Sequence, residues 1–234
     1  NWSGRWIGCE LMERQSVGGQ KIDNKMSDPW FRKTFDLPEK VQDAIIYVAS
    51  IGYHELYVNG RKVGDAVLSP SVTDHKSRAR YMTYDITQYL NSGENVIALW
   101  LGVSWSIFPA YQRAGEPAIP MALVQTEMAF LSGEKQRIVS DETWKVHASP
   151  NTLIGYWEAH HFGGEFYDAS LEKPGWNTIG FDDTDWSQAK VYEPKIIVSA
   201  DKTEPNRLVK EIKPLSVSEI SPGTYRVDMG INYA

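Results

Sequence analysis

The stretch HELYVNGRKV, residues 54–63, constrains the fold more than any other part of this chain. At its centre is Asn59-Gly60, the strongest short-range hairpin signal, because both residues tolerate the positive φ of a type I′ turn. The same strand texture recurs elsewhere. Trp30, Arg32, Thr34 and Asp36 alternate with Phe31, Lys33, Phe35 and Leu37, and the run stops at Pro38. Residues 44–49 and 96–101 read as compact apolar strands, and 144–148 as a further short one. Segments 121–131 and 136–139 read as a hairpin around Ser132-Gly133. One helical turn is expected over 86–90, with Asp85 placed to cap it. Amphipathic helical periodicity is otherwise almost absent. Many short strands with Gly and Asn turns predict an all-β chain, a jelly-roll or galactose-binding-like β-sandwich.

Charge and hydropathy remove several functional classes. The net charge is −6 and no long basic run occurs, so a nucleic-acid partner is not expected. The longest apolar run, VIALWLGV at 96–103, is far too short to cross a bilayer as a helix, so no membrane partner is expected either. A single cysteine, Cys9, rules out an internal disulfide and a thiolate-rich metal site. Nine Trp and twelve Tyr stand out. Aromatic faces suit pyranose rings, but large sandwiches also pack many aromatics, and packing is the more economical explanation.

After Tyr192 the texture changes. EPKIIVSADKTEPNRLVKEIKP, rich in Pro, Lys and Glu, reads as an extended connector, and GTYRVDMGINYA at 223–234 opens another strand. The expected organisation is a leading segment over 1–27 that packs on or precedes the sandwich, a β-sandwich over 28–192, a linker over 193–222 and the truncated start of a following β domain at 223–234.

Three stretches invite chemistry. GGEFYDASLEKPGW, 163–176, sets Glu165, Asp168 and Glu172 among aromatics. Glycoside hydrolysis needs two carboxyls across a sugar, about 5 Å apart for retention or about 6.5–9.5 Å for inversion. Glu165 and Asp168 are three residues apart and would face opposite sides of a strand, so loop hydrogen bonding is favoured over catalysis. GFDDTDWSQA, 180–189, fails the calcium-loop pattern: counted from Asp183, positions 6 and 12 are Gln188 and Pro194. Its acids are expected to cap a turn while Phe181 and Trp186 anchor to the core. Adjacent His160 and His161 would point to opposite faces and make a poor metal site. Gly18-Gly19 reads only as a turn.

Taken together, the segments resemble a known family. RWIG at 5–8, PWFRKTFDLP at 29–38 and ELYVNGRKVGDAVLSPSVTD at 55–74 occur in its order. YMTYDITQYLNSGENVIALWLG at 81–102, GGEFYDASLEKPGW, GFDDTDWSQA and PGTYRVDMGIN at 222–232 follow. The chain resembles the amino-terminal non-catalytic region of bacterial α-L-rhamnosidases over nearly its whole length. It departs at Ser71-Val72-Thr73, Ser170 and Ile231, where the family often has Gly-Trp-Thr, Arg and Gln.

The resemblance implies an accessory domain, inactive alone, that supports a downstream (α/α)6 catalytic barrel of the same parent. That barrel would carry out an inverting hydrolysis of terminal α-L-rhamnosyl residues. The family's work on external polysaccharides implies a periplasmic or secreted location. Some relatives hold rhamnose at a calcium-assisted loop site, so loops 69–80, 105–115 and 156–168 become candidate sugar contacts. They carry Asp74, Trp105, Tyr111, Glu158, Glu165 and Asp168. Closure of the sandwich end by Trp105 and Tyr111 is an equally good reading. No catalytic or metal residue is assigned, and calcium at a sugar loop is the one cofactor to be considered. An independent carbohydrate-binding module for L-rhamnose or related sugars is the alternative.

Overall fold

The computed structural model describes residues 1–9, 28–108, 118–154 and 163–231. In chain order the first strands are β1 (Trp6–Gly8), β2 (Trp30–Leu37), β3 (Val41–Ile51), β4 (Tyr53–Val58), β5 (Arg61–Lys62), β6 (Ala66–Val67), β7 (Arg78–Asp85) and β8 (Gly93–Gly102). Then come β9 (Met121–Phe130), β10 (Lys135–Val139), β11 (Lys145–His147), β12 (Asn151–Ile154), β13 (Gly164–Tyr167), β14 (Ser187–Gln188) and β15 (Lys190–Tyr192). The last are β16 (Ile197–Ala200), β17 (Asn206–Arg207), β18 (Ser216–Ser221) and β19 (Thr224–Asp228). Helical structure among the described residues is confined to 3-10 turns, one of them at Thr87–Tyr89. Asp85 Oδ1 accepts the Thr87 N–H at 2.9 Å and starts that turn.

The expected all-β sandwich is what forms. One sheet runs β15-β1-β9-β3-β7-β16, with β10 also on β9, and the other runs β14-β11-β2-β8-β4-β5. The period of two explains the core. Ala44, Ile46 and Val48 of β3 and Val124 of β9 meet Phe31 of β2, Leu56 of β4, and Leu99 and Leu101 of β8. The Asn59-Gly60 hairpin turn has φ of 51° and 80°. Asn59 also ties neighbouring strands: its amide donates to Tyr89 O and Asn95 Oδ1 and accepts the Val96 N–H.

The second sheet is covered on its outer face as well, which is why Trp30, Phe31 and Arg32 at the start of β2 are all buried. Trp30 stacks on Trp176 at 4.8 Å and 11° and lies nearly parallel to Trp186 at 6.4 Å. Beside them Arg32 is 2% exposed. Its guanidinium donates to Thr178 O at 3.0 Å, to Phe181 O at 3.3 Å and to the Asp183 carboxylate. The 176–186 segment is thus clamped over the sheet by one buried cation. As the sequence suggested for this segment, Asp182 receives the Thr184 N–H and hydroxyl, and Phe181 and Trp186 pack inward.

The stretch 193–222 departs from the expected connector. β16 joins the sandwich, parallel to β7 in the register Ile197↔Arg78 to Ala200↔Tyr81. β17 pairs with β6, and the last hairpin already begins at Ser216. The physical reason is tertiary. The Asp201 carboxylate receives the Ser71 N–H and Arg80 Nη1 at 2.8 and 3.1 Å, which locks the strand to a distant loop. The leading segment also enters the sheet, since β1 lies between β15 and β9; residues 10–27 lie outside the described residues.

Breaking a buried cation's network is among the costlier single changes. Arg32→Met is expected to lose about 3 kcal/mol of stability in urea unfolding. It should also open 177–185 to proteolysis; a loss below about 1 kcal/mol would refute the clamp.

Candidate functional site

β2 and β4 begin, and β8 ends, at the same end of the second sheet, because both are antiparallel neighbours of β8. There a cavity of about 470 Å³ opens. Its walls are aromatic: Tyr53, Trp100, Trp105 and Phe108. Its acids are Asp28, Glu55 and Glu165, and His54, Leu68, Ser104 and Asn151 complete much of the rim. The 3-10 turn Ser104–Ile107 presents Trp105, whose ring meets Phe108 edge-on at 4.9 Å. Pairing of β13 with β12 places Glu165 opposite Leu153, within reach of the cavity.

The three acids differ in circumstance. Asp28 is 6% exposed. It receives the Val103 N–H at 2.8 Å and the Asn151 side-chain amide. Burial lifts its pKa to about 6 against the lowering effect of those two donors, and the Glu165 charge adds to the rise. Glu55 is paired with Lys62 and receives the Tyr57 hydroxyl at 2.5 Å. Glu165 is exposed, and no described residue donates a hydrogen bond to it. His54 is a buttress: burial lowers its pKa to about 3, and its ring nitrogens are held by Ser50 Oγ and Tyr84 Oη, each at 3.0 Å.

The backbone carries strain at this place. Among the described residues, three that are not glycine have positive φ. Asn59 is accounted for by its hairpin turn. The other two, Leu68 at 51° and Ser104 at 44°, both line the cavity. For a bulky residue such as Leu this conformation is an outlier, and such outliers cluster at functional sites. Ser104 Oγ is in addition buried without a hydrogen-bond partner among the described residues.

The structure brings Trp105 and Glu165 of the expected contacts to this cavity. Asp74 is elsewhere, on an exposed turn where its carboxylate receives the Lys76 N–H at 3.0 Å. Asp168 is also apart. It caps the 3-10 turn Ala169–Leu171, receiving the Ser170 N–H and hydroxyl at 3.0 and 2.6 Å. Those hydrogen bonds hold its pKa below the usual carboxylate range. Asp168 thus stitches a loop, and Glu165 and Asp168 do not share a pocket. Tyr111, Glu158, His160 with His161, and Gly18-Gly19 lie outside the described residues. Sequence reasoning missed Asp28, Tyr53, Glu55, Trp100 and Asn151. Only Asp28 carried a signal, as an Asp-Pro pair that marks a turn.

Calcium takes six to eight oxygens. Among the described residues no group of three His, Cys, Asp or Glu is placed to hold a metal ion. These residues do not fit a calcium site.

Residues 39–210 match the family model described as alpha-L-rhamnosidase N-terminal domain. An alpha-L-rhamnosidase of Formosa agariphila is 33% identical over 213 residues, which is 88% of this chain and 22% of the relative. The solved alpha-L-rhamnosidase of Dictyoglumus thermophilum superposes with a TM-score of 0.77 at 32% identity, over 100% of this chain and 26% of that one. The Streptomyces avermitilis alpha-L-rhamnosidase, solved in complex with L-rhamnose, gives 0.73 at 30% identity over 87% of this chain and 20% of that one. The chain spans about a fifth of the length of the curated relatives it matches.

The raised pKa of Asp28 has a stability consequence with a definite sign. Its folded value lies above its unfolded one, so its contribution is fully present below about pH 4 and is lost as pH rises through about 6. The loss amounts to roughly 3 kcal/mol by neutral pH. Urea unfolding between pH 4 and 7 should show this component in the wild type and not in Asp28→Asn; equal slopes would rule it out.

Proposed function

Because the chain belongs to the alpha-L-rhamnosidase N-terminal domain family, we propose that it is a non-catalytic accessory domain of a longer α-L-rhamnosidase and that it holds a saccharide against Trp105 and Glu165. The observation that carries the second part is the cavity, where aromatic walls meet carboxylates and both unexplained strained residues. Aromatic faces receive the apolar face of a sugar ring, and carboxylates accept its hydroxyl protons. Asp168, engaged with Ser170, does not face Glu165 across a sugar as the second member of a hydrolytic pair. On the strength of the family alone, we assign inverting hydrolysis of terminal α-L-rhamnosyl residues to a downstream (α/α)6 barrel of the parent. We place that parent in the periplasm or among secreted proteins, on the strength of the family alone; no described helix is long and apolar enough to cross a membrane.

One observation favours an accessory role over a self-sufficient binding module. Alternation along the last hairpin puts Val217, Tyr225 and Val227, with Glu219, on one face and Ser216, Ser218, Arg226 and Asp228 on the other. The three apolar residues are 60%, 60% and 53% exposed. An isolated two-stranded hairpin is marginal in water, and an amphipathic one calls for a second layer. The downstream part of the parent is the layer this reading supplies.

Calorimetric titration with L-rhamnose is expected to give millimolar binding that Trp105→Ala and Glu165→Gln weaken about tenfold or more. Parallel runs with calcium and with a chelator show whether a metal contributes. Absence of heat at tens of millimolar sugar would remove the sugar-binding part. Hydrolysis of an aryl rhamnoside by this chain, lost in Glu165→Gln, would overturn the non-catalytic assignment.

A further inference from the structure

The lining of the cavity has a pronounced imbalance. Its formal charges are all negative, from Asp28, Glu55 and Glu165, and no Lys or Arg lines it among the described residues. Lys62 compensates Glu55. Among the described residues Asp28 and Glu165 have no cation of their own: the donors on Asp28 are the neutral Val103 N–H and Asn151 amide. Of the donors of the rim, the Ser104 hydroxyl has no partner among the described residues, and others are occupied. Asn151 and Val103 are turned to Asp28, and the His54 ring nitrogens to Ser50 and Tyr84. A neutral sugar offers more acceptor lone pairs than donors, whereas the charges of this lining are acceptors. An ammonium group offers three donors and no acceptor.

The walls point the same way. Tyr53, Trp100, Trp105 and Phe108 surround the acids. Aromatic faces next to carboxylates make a site for a desolvated cation, because the negative face of each ring adds to the carboxylate field. Asp28, nine-tenths buried, supplies that field at the inner end of the cavity, and exposed Glu165 supplies it at the mouth.

From this geometry we propose that the cavity selects saccharides bearing a protonated amine, with Asp28 and Glu165 receiving the ammonium group and the aromatic walls receiving the ring. The inference rests on the saccharide-binding reading and names the class of sugar. It does not touch the chemistry assigned to the parent's downstream barrel.

The test is a set of titrations at neutral pH, followed by calorimetry or by amide chemical shifts, using D-glucosamine, D-glucose, N-acetyl-D-glucosamine and L-rhamnose. D-Glucosamine is expected to bind roughly tenfold tighter than its neutral counterparts, D-glucose and N-acetyl-D-glucosamine. The preference should shrink with added salt and vanish in Glu165→Gln, an exposed substitution whose fold is checked by circular dichroism. Asp28→Asn should act in the same direction; if it does not fold, Glu165→Gln still decides the question. Neutral sugars binding as tightly as D-glucosamine, or a preference that survives Glu165→Gln, would overturn amine selection and leave saccharide binding standing. Failure of all four sugars to bind would remove both.

Discussion

The register of β8 is the constraint on which the site depends. Its partners β2 and β4 run antiparallel on either side, with Trp30 and Glu55 both opposite Trp100. Side chains alternate, so the same strand feeds Leu99 and Leu101 to the core and Ala98 and Trp100 to the outer face. A slip of one residue would exchange the two sets. Both faces of this sheet are covered, by the main core and by the Trp176–Trp186 layer, so the register is over-determined. The cavity rim, built from the ends of three adjacent strands, inherits that rigidity.

Much of this architecture was legible in the sequence because its signals are local. Asn59-Gly60 gave its hairpin, Asp85 its turn, and the alternation around Trp30 its strand. What was not legible depended on partners far along the chain. β16 lies in a Pro-, Lys- and Glu-rich stretch and is held by Asp201 binding Ser71 and Arg80, 130 and 121 residues away. The site shows the same division. Trp105 and Glu165 could be named from their loops, but Asp28 becomes notable only when Asn151 and Val103 close around it. Asp74 and Asp168 carried the same residue type and were drawn into turns by their own neighbours, Lys76 and Ser170.

The carboxylates therefore fall into two physical groups. Asp168, Asp182 and Asp85 accept hydrogen bonds from residues two positions on and have their charge stabilised there. Asp28 and Glu165 sit where burial, or the lack of a donor among the described residues, leaves charge uncompensated. Residue identity does not separate the groups; the supply of protons from the surrounding backbone does. Asp183 is a third case, committed to Arg32 and so to the covering of the sheet.

The parallel pairing of β16 with β7 has a mechanical side. A domain joined to the sandwich by an unstructured tether over 193–222 would sample a wide volume, and its local concentration near the cavity would fall steeply with tether length. Stitching Ile197–Ala200 into the sheet edge shortens that leash. It also sets the direction in which the chain departs, alongside β7 and not from the end of β15. The hairpin of β18 and β19 is mounted on a bracket, and a force pulling on it would have to shear a ladder of parallel hydrogen bonds before the leash lengthened.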